Sequence, residues 1–148
     1  LRIVLGGSDP LPNDCALART APENPTLRIV STNSTLSRDA SAIEIARISS
    51  SSDGNLALDE LMRILHDREV DSLLVEGGGR TLASFLSAGL VDEVYAFIAP
   101  KFLNDSEALP PFPGTDLRSS IQEAVELRSI EVRDIGGDAL IHGYLSNL

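Results

Sequence analysis

A chain of 148 residues with 43% hydrophobic residues has the length of one domain and enough apolar material for a core of ordinary size. Its formal net charge of −10, with 12 Lys and Arg scattered along the sequence, excludes a sequence-independent grip on nucleic acid or on an anionic membrane surface, because such binding needs clustered cations. The one cysteine, Cys15, excludes an internal disulfide framework and a Cys-based structural zinc site, and no apolar run approaches the roughly 20 residues that span a bilayer.

The chain opens in the apolar run Leu1-Arg2-Ile3-Val4-Leu5, which reads as a strand. A domain rarely starts inside a strand with no lead-in, so upstream sequence is expected before Leu1. No basic-then-apolar signal pattern precedes that strand, and a reducing, cytoplasmic compartment is the expectation. Leu27-Arg28-Ile29-Val30 is a second short strand bounded by turn residues, and Ile43-Glu44-Ile45-Ala46-Arg47-Ile48 alternates strictly, as a half-buried strand does. Over residues 56–69 the apolar positions Leu58, Leu61, Met62 and Leu65 follow the spacing of one helix face, with Asp53 or Asn55 available as a cap.

Residues 71–76 read as a buried strand and residues 81–88 as a helix, with Leu82, Phe85 and Leu86 on one face and Gly89 as its stop. Residues 92–99 form the next predicted strand, and the order strand, helix, strand implies a parallel right-handed crossover. The stretch 104–115, rich in Pro and acidic residues, reads as a long surface loop. At the end, Val125, Leu127 and, after one slip, Ile130 and Val132 alternate. Together with the apolar residues 139–145 across Gly136-Gly137-Asp138, they predict an antiparallel hairpin. The fold class is α/β: one domain, 1–148, with a mostly parallel sheet closed by that hairpin.

Chemistry concentrates at Val75-Glu76-Gly77-Gly78-Gly79-Arg80-Thr81. Glycines between a strand and a helix let a ligand approach the backbone and direct unpaired N–H groups at an anion. The spacing matches neither a Rossmann nor a P-loop motif, so a phosphate site and a plain tight turn fit the bare pattern equally. Glu76 lies at the carboxyl end of a predicted strand, where open α/β sheets place their ligand crevices. It reads as an acceptor for a substrate hydroxyl or amine, or as a capping carboxylate for the amides that follow it. Arg80 reads as a phosphate contact or as a solvated surface residue. His66, His142 and Cys15 have no partner in sequence and read as surface, core and inert positions.

Residues 73–103, with the pieces Val75-Glu76-Gly77-Gly78, Ala88-Gly89-Leu90-Val91-Asp92-Glu93 and Ile98-Ala99-Pro100-Lys101, closely resemble the reductase domain of bacterial and plant riboflavin-biosynthesis deaminase-reductases. Leu1-Arg2-Ile3-Val4-Leu5 and the closing Gly137-Asp138-Ala139-Leu140-Ile141-His142-Gly143-Tyr144-Leu145 resemble that family's first visible and last strands. The resemblance implies a dihydrofolate-reductase-like fold with helices on both faces of its sheet. It further implies NADPH-dependent reduction of 5-amino-6-(5-phosphoribosylamino)uracil to its ribitylamino form, with hydride passing to ribose C1′, most simply through the ring-opened imine. Residue by residue, the substrate-contacting carboxylate falls on Glu76, and the cofactor contacts fall on Gly7, Gly78, Gly79, Arg80, Thr81, Leu82, Ala83 and Ser84. No catalytic acid or base and no metal are implied, since such a reductase works by placing donor and acceptor carbons in contact. The family's habits also imply a homodimer, a fused deaminase domain upstream, and a plastid location if the source is a plant.

Two departures stand out. Gly6 occupies the place of the family's usual Asp, and Asn104 that of a usual Gly. The family's first strand and helices should precede Leu1, and the zinc deaminase signature is absent from this sequence. Two other readings remain open: a degenerate copy with a structural or dimerising role, and a related dihydrofolate-reductase-like enzyme acting on another pyrimidine or pteridine.

Overall fold

The apolar run that contains Arg28 becomes the middle strand of a parallel sheet. In the computed structural model, which describes residues 1–40, 42–52, 54–102, 104–105, 107–108, 110, 113 and 124–145, the chain divides into two compact units, Leu1–Leu73 and Leu74–Leu148. The first unit carries β1 (Arg2–Leu5), α1 (Ala16–Thr20), β2 (Thr26–Ser31), β3 (Ile43–Ile48) and α2 (Leu58–His66). Its sheet order is β1-β2-β3, parallel throughout, with Ile3 opposite Leu27 and Ile29 opposite Ala46. A central parallel strand is covered on both faces, which is why β2 is buried from Thr26 to Val30 and reads as a continuous run where β3 alternates. Leu27, Ile29, Val30 and Ile48 are fully buried, as are Leu61 and Leu65 on one face of α2.

Two details of this unit depart from the sequence expectations. Helix α2 is shorter than 56–69. Its N-cap is Ala57, which supplies no side-chain cap in place of the expected Asp53 or Asn55; Asp53 itself lies outside the described residues. The acidic first turn, Asp59 and Glu60, favours that end through the helix dipole, and Glu69 at φ 58° stands in the left-handed region just beyond the other end. Helix α1 has no counterpart in the predicted elements. It spans five residues, and the Cys15 sulfur accepts its N-terminal hydrogen bond from the Ala18 amide at 3.4 Å, so the cysteine is a cap.

The second unit carries α3 (Gly79–Ser87), β4 (Glu93–Ile98), β5 (Leu127–Ile135) and β6 (Asp138–Leu145), with sheet order β4-β6-β5, antiparallel throughout. The C-terminal hairpin is as expected. Its turn is Gly136-Gly137, at φ 63° and 96°, and two successive positive φ values are what a two-residue primed turn demands. The slip in the alternation before Ile130 is a β-bulge: the register shifts between Arg128 and Glu131, with Ser129 at φ 51°. Strand β5 consequently begins at Leu127, not Val125.

Two expectations need correction. Residues 71–76 form no strand, and Leu74 is 80% exposed; an apolar run becomes a strand only when a ladder partner takes its backbone groups, and none among the described residues does. Nor is β4 the far end of a parallel crossover. It pairs antiparallel with β6, Tyr95 opposite His142 and Phe97 opposite Leu140, so its register partner arrives from the end of the chain. Among the described residues the parallel and antiparallel parts are thus three strands each in place of a mostly parallel sheet. Of the predicted loop 104–115, only residues 104–105, 107–108, 110 and 113 are described, and none is in a helix or strand. Asn104, where the resembling family has Gly, adopts φ 48°, a conformation Asn tolerates better than most residues.

Candidate functional site

Gly77, Gly78 and Gly79 lead into α3, but they differ in what the backbone asks of them. Gly77 has φ 136°, a region closed to side chains, so the turn itself requires glycine there. Gly78 is the N-cap of α3 with φ −72° and ψ 153°, ordinary extended angles, and a Cβ built on it meets nothing within 4 Å. Neither strain nor packing accounts for the absence of a side chain at Gly78. What a bare N-cap leaves open is the approach to the first amides of the helix, which have no intrahelical acceptor and receive no side-chain cap from Gly78. No acidic residue occupies the first turn, so the positive end of the helix dipole is not neutralised locally.

This contrast is testable in stability. Gly77→Ala is expected to lower the unfolding free energy by about 1–3 kcal/mol, the cost of a side chain in a closed φ region. Gly78→Ala is expected to change it by less than about 1 kcal/mol. Urea titrations of the two variants check the difference.

The remaining residues singled out in the sequence distribute as follows. Glu76 is exposed and immediately precedes the turn. Arg80, Thr81, Leu82, Ala83 and Ser84 occupy the first turns of α3; Arg80 is exposed, Ala83 is buried, and Ser84 donates its hydroxyl to the Arg80 carbonyl at 2.9 Å. Phe85, fully buried, fixes this helix to its unit. Gly7 belongs to the first unit. It has φ 88°, and a Cβ there would lie 2.3 Å from Nη2 of Arg28. The loop after β1 therefore passes directly over a guanidinium.

A second polar cluster was hidden from sequence reading. His142 on β6, 8% exposed, bonds through Nε2 to Oε1 of Glu93 on β4 at 2.6 Å, and the Tyr95 hydroxyl donates to the same oxygen at 2.9 Å. Tyr95 stacks on the imidazole at 4.4 Å, and Tyr144 meets it edge-on at 5.2 Å. A carboxylate only accepts, so Nε2 carries the proton in the neutral ring, and the buried Nδ1 is left without a partner among the described residues. The signal was the pairing of β4 with β6, which brings residues 49 positions apart onto one face. His66, by contrast, is exposed in the last turn of α2.

Hydrogen bonds from His142 and then Tyr95 hold the Glu93 carboxyl below its usual pKa. The same hydrogen bonding to Glu93 pushes the phenols of Tyr95 and Tyr144 up, because ionising either would place two negative charges together. These are the only two tyrosines and the chain has no tryptophan. Ultraviolet difference titration is therefore expected to show both phenols ionising above the ordinary tyrosine range, with Glu93→Gln moving the transition back down. An unchanged transition in the variant would contradict the cluster. Among the described residues, no group of three or more His, Cys, Asp and Glu could hold a metal ion, and no helix is long and apolar enough to cross a membrane.

Comparison with known proteins agrees with the fold. The RibD C-terminal domain family model matches residues 1–141. The riboflavin biosynthesis protein RibD of Actinobacillus pleuropneumoniae is 32% identical over 148 residues, covering 95% of this chain and 38% of that protein. The chain thus spans well under half the length of such curated relatives. Among solved structures, the Saccharomyces riboflavin biosynthesis reductase Rib7 superposes with TM-score 0.68 at 18% identity, over 97% of this chain and 68% of that one. A Thermotoga maritima diaminohydroxyphosphoribosylaminopyrimidine deaminase/5-amino-6-(5-phosphoribosylamino)uracil reductase superposes with TM-score 0.61 at 18% identity, over 98% of this chain and 45% of that one. At such identities the superpositions speak to the fold, which is the dihydrofolate-reductase-like α/β fold. With the family model running across both compact units, the chain belongs to the RibD C-terminal domain family.

Proposed function

We propose that this chain is a pyrimidine-reductase domain that reduces 5-amino-6-(5-phosphoribosylamino)uracil to 5-amino-6-(5-phosphoribitylamino)uracil with NADPH. Membership of the family and the reductase activity named for the Thermotoga protein support the reaction class. The observation that carries the cofactor reading is Gly78, a helix N-cap whose missing side chain neither strain nor packing explains. A diphosphate needs that access, together with free amides at the positive end of a helix, all the more in a chain of net charge −10, where the overall field repels anions.

In this reading the first turns of α3 hold the cofactor through Gly78, Gly79, Arg80, Thr81, Leu82, Ala83 and Ser84, with Gly7 as a further cofactor contact. NADPH supplies the hydride that goes to ribose C1′. Glu76 accepts a hydrogen bond from the substrate and fixes its orientation, and no residue of the chain is assigned a proton-transfer role. The two compact units are the halves of one reductase domain, as the continuous match from residue 1 to 141 supports. A homodimer, a deaminase domain fused upstream, and a cytoplasmic or, in a plant, plastid location belong to the same proposal; the double name of the Thermotoga protein supports the fusion. Loss of NADPH absorbance that depends on the phosphoribosylamino-pyrimidine, and that Glu76→Gln weakens chiefly through KM for the pyrimidine, tests it. Well-folded protein that oxidises no NADPH with this substrate would contradict it.

A further inference from the structure

We propose that the buried ion pair Arg28–Asp39 is a positioning device for the nicotinamide cofactor, because it pins both ends of the loop that carries Gly7. This rests on the reading of Gly7 as a cofactor contact. Arg28 stands in the middle of β2, the central strand of its sheet, and its side chain and that of Asp39 are 4% and 0% exposed. Desolvating two charges is so costly that an apolar pair of similar volume often serves stability as well or better. The distinctive contribution of the pair is therefore in what its donors and acceptors reach.

Both reach the loop after β1. Nε of Arg28 donates to the Gly6 carbonyl at 3.2 Å while Nη1 donates to Oδ2 of Asp39 at 2.7 Å. The other carboxylate oxygen of Asp39 accepts the Leu11 amide at 2.8 Å and the Ala40 amide at 2.9 Å. The half-buried anchors Gly6 and Leu11 are thus tied to one salt bridge, and between them Gly7, Ser8, Asp9 and Pro10 are exposed. Gly7 crosses the guanidinium so closely that a Cβ there would clash with Nη2, and its φ of 88° presents the peptide in a conformation no other residue adopts freely. Burial raises the pKa of Asp39, but the hydrogen bonds from Arg28, Leu11 and Ala40 and the charge of Arg28 outweigh it, so the carboxyl titrates below its usual value and the clamp stays charged at neutral pH.

The test uses the protein in its full chain, with NADPH as the probe. Hydrogen exchange of the Gly7, Ser8 and Asp9 amides is expected to slow when NADPH is added. The double variant Arg28→Met/Asp39→Leu removes both charges and so leaves none unpaired. It is expected to fold, to exchange these amides faster, and to raise KM for NADPH about tenfold, while kcat at saturating NADPH and KM for the pyrimidine stay within about twofold. Two results would overturn the inference alone: calorimetric NADPH binding with no protection of this loop, or a folded double variant with unchanged KM for NADPH. Should the double variant fail to fold, exchange in the unmutated protein decides by itself. Absence of any NADPH binding overturns the proposed function instead, and the positioning role with it.

Discussion

Replacing Gly78 by valine is expected to weaken NADPH binding by roughly a hundredfold while leaving the protein folded. The magnitude follows from what the side chain would cover: two charge-assisted hydrogen bonds from amides of the first turn, at about 1.5 kcal/mol each, amount to about two decades in affinity. The small structural cost follows from the geometry, since Gly78 has ordinary backbone angles and open surroundings. A β-branched residue at an N-cap loses about 1 kcal/mol, a few degrees in Tm for a chain of this size. Calorimetric affinity and thermal melting of one sample separate the two effects. Affinity lost in proportion to melting would mean that Gly78 is only part of the turn.

Asp39→Ala should act the other way round and fall on stability. It leaves Arg28 buried and unpaired and takes the acceptor from the Leu11 and Ala40 amides, a loss of about 3–5 kcal/mol. A domain of this size has on the order of 5–15 kcal/mol in total, so the variant would sit near the edge of folding. The pair also sets an acid limit. The folded-state pKa of Asp39 lies below the ordinary value of 3.8, so its contribution is complete above that value and is lost as pH falls through the folded pKa. Urea titrations over the acid range should show the unmutated protein losing stability below about pH 4 more steeply than Arg28→Met/Asp39→Leu, in which this carboxylate is no longer there to protonate.

How much of this was legible in the sequence depended on whether the signal was local. Strand β3, helix α2 and the hairpin were readable because period and turn chemistry are properties of neighbouring residues; even the bulge showed, as one slip before Ile130. Residues 71–76 misled because burial in a sheet needs a partner, and apolar composition does not name one. Strand β4 was found, but its antiparallel partner β6 lies at the other end of the unit, beyond any local rule. For the same reason the partners of Arg28 and His142 were invisible: Asp39 is 11 residues from the first and Glu93 is 49 from the second. At the candidate site, composition marked three glycines as equivalent. Only backbone angles separate Gly77, which the turn requires, from Gly78, which it does not.

The most direct test of the central claim is calorimetric titration of NADPH into the protein. The account predicts one saturable site per chain with Kd on the order of micromolar, weakened about a hundredfold in Gly78→Val and kept in Gly78→Ala to within about tenfold. Folded protein that gives no saturable heat with NADPH, or a Gly78→Val variant that binds as tightly as the unmutated chain, would contradict it.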